Sequence, residues 1–327
     1  MFRFARASIP FLLATAIVAA GGRGTRAAEE AWEKPPNGVL GRVADFEGAG
    51  GARVAGYVRK PAGPGPMPIV IILHGGSATA RAVSAESGQD RAKMTVAEAV
   101  RASNVLGRAS NPPIPDFLAQ GWAVYTIDFR PNPRHMIDPL EFEDTAAAVN
   151  KAKSFSFVDP KRMAMFGGSH GGHVTARMAS RVDLCCAVLC APAGLDLIEI
   201  SHLAEKGTPV GGNQRLIREL EQRCGVKMAD IEKDPAAYHY SSPLTEIAKV
   251  RCPILLISGR NDNNAPLPVM DAYVAKLRAA GKEAETYHPD NGPHGFYVGL
   301  PQPIPETAES TRQAVTFIKK HFAQATP

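Results

Sequence analysis

Four glycines crowded around one serine constrain the fold of this chain more than any other feature of its sequence. Gly167 and Gly168 directly precede Ser169, and Gly171 and Gly172 follow one residue further on, in the segment KRMAMFGGSHGGHVTA. Glycine inside a strand or helix costs about 0.5–1 kcal/mol relative to alanine. An apolar run precedes the cluster and a helical stretch follows it, so we predict a strand that turns abruptly into a helix at Ser169.

Apolar runs alternate with helical stretches along the rest of the chain. The runs predicted as strands are GVLGRVADF, ARVAGYVRKP, MPIVIILHGG, GWAVYTIDFR, KRMAMFGG, LCCAVLCAPAG, CPILLISG and EAETYHP. The first two predict an antiparallel pair joined by a glycine-rich turn, whereas uninterrupted runs such as MPIVIIL are typical of strands buried on both faces. The alternation predicts an α/β fold with a mostly parallel eight-stranded sheet and helices on both faces.

The clearest helix signal lies at Asp138, where Pro139 takes the first helical position and Glu141 completes a capping box. Further helices are predicted over residues 170–181, 268–280 and 307–322. These elements predict one domain over residues 29–327 with two excursions, at 77–115 and 196–250. Both excursions are expected to shape the substrate pocket, as a small cap or as a cover for the core.

The first 28 residues have the layout of a secretory signal peptide: a positive start, an apolar run over residues 9–20 and small residues after it. That run has 12 residues, whereas spanning a bilayer takes roughly 20. Four arginines precede the first acidic residue, so removal of this segment lowers the formal charge from +5 to +1. We therefore expect an exported, periplasmic or extracellular protein with no nucleic-acid partner and no stable membrane insertion after cleavage.

The five cysteines do not have the spacing of a zinc or redox site. Cys185, Cys186 and Cys190 stand in LCCAVLCAP, an apolar run that indicates a buried strand, where cysteine acts as a small apolar residue. Cys224 and Cys252 are a conceivable disulfide pair, which the sequence leaves open. No motif implies a metal or an organic cofactor.

The pattern G-x-S-x-G at a strand-to-helix turn is typical of a nucleophile elbow, in which strained backbone angles lift the serine hydroxyl above the sheet. Serine needs a base to remove its proton and an acid to orient that base. In this fold the chain order is serine, acid, histidine, and His294 follows the last predicted strand in DNGPHGF. Ser169 is therefore the predicted nucleophile and His294 the predicted base, with His202, His239 and His288 as weaker candidates.

The orienting acid is expected on the loop after the seventh predicted strand. Asp262 stands there, in ILLISGRNDNNAP, ahead of a predicted helix. Asp196, on the loop after the sixth strand, is the alternative, because some hydrolases place the acid at that position. Asp290 is too close in sequence to His294 to serve. We therefore predict Asp262 as the acid.

An acyl-transfer site also needs hydrogen-bond donors for the oxyanion of the tetrahedral intermediate. One donor is expected to be the backbone N–H of His170, directly after the nucleophile, at the positive end of the following helix. The other is expected in LHGGS, after the third predicted strand, from Gly76 with support from Gly75. His74 is expected to orient this loop through hydrogen bonds.

Five segments together resemble the catalytic domain of the prolyl oligopeptidase family, which lies within the α/β-hydrolase superfamily. They are VDPKRMAMFGGSHGG, LHGGS, AYHYSSPL, CPILLISGRND and HPDNGPHGF, and the resemblance covers roughly residues 38–323. The family grades into dienelactone hydrolases and acetyl esterases. The resemblance implies a triad of Ser169, Asp262 and His294, in agreement with the prediction from the residues themselves.

The chain also departs from the peptidases of that family. Those peptidases carry a large propeller domain, for which the residues before position 38 leave no room. Prolyl-specific members have a tyrosine where this chain has His74, and dienelactone hydrolases proper often use cysteine where it has Ser169. We therefore predict a secreted serine esterase that acts on small esters through an acyl-enzyme. A serine peptidase for short peptides and a non-catalytic binding protein on the same scaffold are the alternatives.

Overall fold

The structure is a computed structural model in which Trp32 and residues 39–76, 113–129, 139–225, 227, 230, 242–299 and 302–325 are described. The predicted signal peptide, residues 77–112 of the first excursion, Asp138 and His239 lie outside the described residues. Within the described ranges, no helix is both long and apolar enough to cross a membrane.

Eight strands of the described chain form one sheet, and two short strands form a separate ladder. The strands are β1 Val39–Val43, β2 Phe46–Glu47, β3 Arg53–Val54, β4 Gly56–Pro61, β5 Met67–Leu73, β6 Ala123–Ile127, β7 Val158–Gly168, β8 Cys186–Cys190, β9 Ile254–Ile257 and β10 Ala284–Tyr287. The order across the large sheet is β1-β4-β6-β5-β7-β8-β9-β10. β4 is antiparallel to both β1 and β6, and all other neighbours are parallel. The predicted mostly parallel eight-stranded sheet is confirmed.

Helices connect the described strands, and those at residues 139–153, 170–178, 267–279 and 305–324 lie where the sequence predicts them. The α-helices are α1 Ile114–Ala119, α2 Pro139–Lys153, α3 His170–Met178, α4 Leu197–Glu205, α5 Asn213–Cys224, α6 Leu267–Ala279 and α7 Pro305–Gln324, and short 3-10 helices cover Ala49–Gly51, Pro243–Lys249 and Phe296–Val298. The predicted bounds of α6 and α7 differ from these by one or two residues. α3 ends at Met178, before the predicted residue 181, and the N–H groups of Ser180 and Arg181 then bond to carbonyls three residues back in a tighter turn.

The opening antiparallel pair is confirmed, but its first strand is shorter than predicted. GVLGRVADF divides into β1 and β2, and ARVAGYVRKP divides in the same way into β3 and β4. Between β1 and β2, the carboxylate of Asp45 accepts a hydrogen bond from Nε of Arg53 across the turn, at 2.5 Å. β2 and β3 pair with each other on either side of the glycine-rich turn. There Gly50 and Gly51 have φ of 65° and 77°, values that other residues rarely adopt.

Helices cover both faces of the large sheet. Ile69, Val70 and Ile71 of β5 have no exposed surface, and successive side chains of a strand point to opposite faces. α3 packs against β5, β7 and β8, and α7 packs against β7, β8 and β9. Cys252 is buried in this core. The side chain of Cys224 lies outside the described part of the chain, so its pairing with Cys252 stays the open question that the sequence raised.

The strand register brings the predicted site residues to one edge of the sheet. Leu73 at the end of β5 pairs with Gly167 of β7, Gly168 pairs with Cys190 of β8, and Cys190 pairs with Ile257 of β9. The parallel strands therefore end at the same level, and the loops after them begin side by side. In open α/β sheets, ligands bind in the crevice outside this carboxyl edge.

Candidate active site

Ser169 occupies a strained turn between β7 and α3. Its backbone angles are φ 53° and ψ −115°, outside the regions that most residues populate. The turn is held on both sides: the N–H of Ser169 donates to the carbonyl of Cys190 at 2.8 Å, and its carbonyl accepts from Ala193 at 3.0 Å and from His173 at 3.1 Å. The backbone therefore has the geometry expected of a nucleophile elbow.

The four glycines around Ser169 each occupy a place where a side chain would collide with a neighbour. A Cβ at position 167 would overlap the carbonyl oxygen of Gly171, and a Cβ at position 171 would overlap that of Leu73. A Cβ at position 168 would overlap the ring of Tyr297. The helix can approach the strand ends this closely only because these positions lack side chains, which explains why the chain accepts their conformational cost.

Ser169, His294 and Asp262 form a continuous chain of hydrogen bonds. Nε2 of His294 lies 2.9 Å from Oγ of Ser169. Nδ1 of the same ring lies 2.9 Å from Oδ2 and 3.1 Å from Oδ1 of Asp262. These distances are within the range for proton transfer between nucleophile and base. The structure therefore brings together the three residues that the sequence predicted for the triad.

The carboxylate of Asp262 is completely buried, whereas the His294 side chain is 29% exposed. A buried carboxylate is costly unless hydrogen bonds replace its water. Besides the His294 ring, Oδ1 accepts the backbone N–H groups of Asn264 at 2.8 Å and Ala265 at 3.3 Å. The turn that follows Asp262 therefore fixes the carboxylate in the orientation that faces His294.

The weaker candidates serve other contacts. His202 lies on α4 and pairs with Glu199 at 3.8 Å. Nδ1 of His288 lies 2.9 Å from the carbonyl oxygen of Ser258. Asp196 caps α4 by accepting the N–H of Glu199 at 3.1 Å. Asp290 is an exposed partner of Arg260.

The residues predicted as oxyanion donors border Ser169. A Cβ on Gly75 would lie 3.0 Å from Cβ of Ser169, so the loop after β5 passes directly beside the serine. Gly76 has φ 62°, a conformation that favours glycine. His170 is the first residue of α3. Nδ1 of His74 lies 3.2 Å from the carbonyl of Gly75, which agrees with the prediction that His74 orients this loop.

The partner of the His170 side chain is Glu141, which the sequence did not predict. The sequence predicts Glu141 as part of a capping box, but its Oε2 lies 2.9 Å from Nε2 of His170, and both side chains are only 4% exposed. A sequence signal for this burial was present. Glu141 stands four and eight residues before Thr145 and Val149, which are also buried on α2, so all three lie on one helical face.

The second excursion is hydrogen-bonded to the acid loop. Nδ2 of Asn213, the first residue of α5, donates to the carbonyl of Asn264 at 2.6 Å, and its Oδ1 accepts the N–H of Gly194 at 3.2 Å. Asn213 is buried, with 1% of its surface exposed. The start of α5 is therefore attached to the same turn that orients Asp262. This contact supports the expectation that the excursion borders the pocket.

His173, one turn into α3, is a fully buried histidine whose Nδ1 donates to the carbonyl of Ala193 at 3.0 Å. Its burial, followed by the charges of His170 and Arg177, lowers its pKa to about 3. His173 is therefore neutral at physiological pH and is a structural member of the helix beneath the site.

Within the described ranges, no group of three or more potential ligands is arranged to hold a metal ion.

Comparisons with known proteins find relatives that are named as hydrolases, either peptidases or esterases. A family model described as an alpha/beta hydrolase fold matches residues 118–298. The uncharacterized peptidase YtmA of Bacillus subtilis is 23% identical over 280 residues, which cover 82% of this chain and 90% of that protein. The acylamino-acid-releasing enzyme of Arabidopsis thaliana is 24% identical over 155 residues, 47% of this chain and 20% of that enzyme, so the chain spans about a fifth of its length.

A solved structure, the acetyl xylan esterase from Paenibacillus sp. R4, superposes with a TM-score of 0.63 at 16% identity. The match covers 88% of this chain and 85% of the esterase chain. Similarity at this identity indicates a shared fold.

The contact between Gly168 and Tyr297 gives a prediction about stability. Gly168→Ala places a methyl group against the Tyr297 ring, and overpacking of this kind costs about 1–3 kcal/mol. We expect a smaller cost in a Tyr297→Leu background, because the shorter side chain leaves room for the methyl group. Urea unfolding of the wild type, the two single variants and the double variant measures this coupling.

Gly172→Ala is the matched control for that cycle. A Cβ at position 172 would meet Cα of Pro192 at 2.9 Å, and backbone does not give way when Tyr297 is shortened. Its cost should therefore be the same in both backgrounds. Equal costs of Gly168→Ala in the two backgrounds would contradict the assignment of Tyr297 as its obstacle.

The lowered pKa of His173 gives a prediction about pH. Its pKa is about 3 in the folded chain, and the ordinary value is about 6.5. Between these two pH values His173 is protonated in the unfolded chain but neutral in the folded chain. The contribution of His173 to stability is intact above pH ~6.5 and is lost at about 1.4 kcal/mol per pH unit below it. His173→Gln should remove this slope, as measured by urea unfolding between about pH 6 and pH 4. His202→Gln, on an exposed histidine, should keep the wild-type slope. Parallel curves for wild type and His173→Gln would disprove the burial effect.

Proposed function

The chain belongs to the α/β-hydrolase family, and we propose that this serine hydrolase cleaves carboxylic esters of small molecules through an acyl-enzyme on Ser169. The observation that carries the proposal is the hydrogen-bonded chain from Ser169 through His294 to Asp262 at a strained strand-to-helix turn. Buried structural histidines also bind carboxylates. A histidine–carboxylate pair supplies a base and an orienting acid for catalysis only where the ring also reaches a nucleophile, here the hydroxyl of Ser169.

The first half of the reaction acylates the serine. Nε2 of His294 takes the proton of the Ser169 hydroxyl while Oγ attacks the ester carbonyl carbon, and the carbonyl oxygen becomes an oxyanion. Asp262 holds the ring in the tautomer that presents a lone pair on Nε2, and it stabilises the imidazolium that forms. The tetrahedral intermediate then expels the alcohol, which receives its proton from Nε2 of His294.

The second half releases the acid. Water gives a proton to His294 and attacks the acyl carbon, and the second tetrahedral intermediate expels Oγ of Ser169, which recovers its proton from the ring. We propose that the N–H groups of His170 and Gly76, with support from Gly75, stabilise the oxyanion in both halves. A single donor of this kind is worth about 10²–10³ in kcat, and the positive end of α3 adds to it.

Small esters are favoured over peptides as substrates. An acetyl xylan esterase shares the fold over 88% of this chain, which supports an ester as the substrate. A serine peptidase is the second candidate, because a relative of nearly the same length carries a peptidase name. The same three residues serve either reaction, so the leaving group has to be distinguished by experiment.

Turnover of p-nitrophenyl acetate and of peptide p-nitroanilides tests both candidates. We expect the purified mature protein to hydrolyse the ester with the higher kcat/KM. Ser169→Ala should lower kcat by at least about 10³-fold, since the nucleophile and base act as a unit. Asp262→Asn should lower it by about 10³–10⁴-fold, since the ring then loses its correct tautomer. His202→Ala, on an exposed histidine of α4, should leave the rate unchanged.

Faster cleavage of the anilides would favour the peptidase. A wild-type rate in Ser169→Ala would reject Ser169 as the nucleophile. Failure of a fluorophosphonate to label Ser169 would favour the non-catalytic binding protein instead.

We further propose that the protein is exported by a signal peptide over residues 1–28. The apolar run IPFLLATAIVAA and the arginines before it support this proposal. Expression of the full chain in a bacterium should yield a shortened protein outside the cytoplasm, with cleavage after Ala20, Ala27 or Ala28 as read by N-terminal sequencing. Leu12→Arg with Leu13→Arg should block export, because charge interrupts the apolar run. An uncleaved cytoplasmic wild type would refute the proposal.

A further inference from the structure

Two histidines beside the proposed oxyanion hole are each paired with a buried carboxylate that the triad does not use. Nε2 of His74 lies 3.0 Å from Oδ1 of Asp128, and Nε2 of His170 lies 2.9 Å from Oε2 of Glu141. The four side chains are between 1% and 6% exposed. His74 precedes the Gly75 loop, and His170 follows the proposed nucleophile. The two pairs therefore flank the two segments that carry the proposed donors.

The ring of Phe129 lies between the two imidazoles. Its centroid is 4.8 Å from that of His74 and 4.8 Å from that of His170, with interplanar angles of 62° and 75°. Both contacts have the edge-to-face geometry that aromatic rings prefer. The N–H of Phe129 donates to Oδ1 of Asp128 at 2.8 Å, the same oxygen that faces His74. The phenyl ring is therefore held by its own backbone while it contacts both histidines.

We infer that Phe129 is a positioning residue of the oxyanion hole, a role that rests on the proposed function. Its ring sets the separation between the loop at Gly75 and the N–H of His170. Glu141 assists by holding the His170 ring in place, since this is the only hydrogen bond to that ring within the described ranges. His74 transmits the position of the ring to the loop through its contact with the carbonyl of Gly75.

This role differs from ordinary core packing in what it controls. A core phenylalanine contributes to stability, and its loss lowers the amount of folded enzyme. A positioning residue controls the distance between two donors and an oxyanion that exists only in the intermediate, so its loss lowers kcat in the enzyme that remains folded. Misplacement of reacting groups by about 1 Å is enough to lower a rate by about 10²-fold.

Phe129→Leu tests the role against a matched control, Phe155→Leu. Phe155 is also a buried ring with an edge-to-face partner, Tyr125 at 5.4 Å, and it lies before β7, at the opposite end of that strand from Ser169. We expect both variants to lose comparable stability in urea unfolding. Phe129→Leu should lower kcat by about 10–10²-fold with little change in KM, whereas Phe155→Leu should keep the wild-type kcat. All rates are divided by the concentration of Ser169 that a fluorophosphonate labels at completion.

A trifluoromethyl ketone inhibitor tests whether a lowered kcat in Phe129→Leu comes from the oxyanion hole. Oγ of Ser169 adds to its carbonyl carbon and the serine proton passes to His294, so the inhibitor oxygen becomes an oxyanion bound by the same donors. The inhibition constant of Phe129→Leu should therefore rise by about the factor by which kcat/KM falls. The constant can be measured by competition with fluorophosphonate labelling, which does not depend on the identity of the natural substrate.

Glu141 provides a second test if Phe129→Leu does not fold. Glu141→Gln keeps an acceptor for Nε2 of His170 and should retain most of the activity. Glu141→Met has similar length and no oxygen acceptor, so it should lower kcat and weaken inhibitor binding together.

The inference fails if Phe129→Leu and Glu141→Met bind the ketone as tightly as the wild type per labelled serine, or if their kcat matches that of Phe155→Leu. In both of those cases the wild type is still labelled, so the proposed function stands. If the wild type is neither labelled nor inhibited, the proposed function fails and the positioning role fails with it.

Discussion

The strained turn at Ser169 is the constraint on which the rest of this structure depends. A residue other than glycine with positive φ is costly, and it persists only where its surroundings hold it in place. Here three backbone hydrogen bonds fix the turn, and glycines let α3 approach the strand ends more closely than side chains would permit. The parallel register then brings the loops after β5 and β9 to the same edge. The strain at one residue thus requires close packing on every side of it.

Three buried carboxylates, each paired with a histidine, surround the turn at Ser169. Asp262, Glu141 and Asp128 are each almost fully buried, and each faces an imidazole nitrogen at 2.9–3.1 Å. Burial makes such groups expensive unless their hydrogen bonds are satisfied. The three pairs have similar distances but differ in how far the imidazole ring is exposed. Only the ring of His294 is substantially exposed and within reach of the Ser169 hydroxyl, whereas the other two rings are enclosed around Phe129.

Periodicity and glycine placement were sufficient to predict the sheet, the helices from Pro139 and at the C-terminus, and the strand-to-helix turn, because these depend on local patterns of apolar and flexible residues. The division of the first predicted strand was not predictable, since it depends on which strand each part pairs with: β1 pairs with β4, whereas β2 pairs with β3. Local rules favour a helix cap at Glu141, which stands three residues after Asp138. Its true partner, His170, lies 29 residues away, and no local rule addresses a contact at that distance.

The sequence by itself determined the fold class, the turn at Ser169 and the chain order of the three candidate residues, because backbone strain and alternating elements leave a direct record in residue types. Only the tertiary structure decided which histidine reaches the hydroxyl, that Asp262 and not Asp196 faces the ring, and that Phe129 lies between two imidazoles. These facts depend on distances between segments that are remote along the chain. Such distances are set by strand register and packing across the sheet, which no single stretch of sequence encodes.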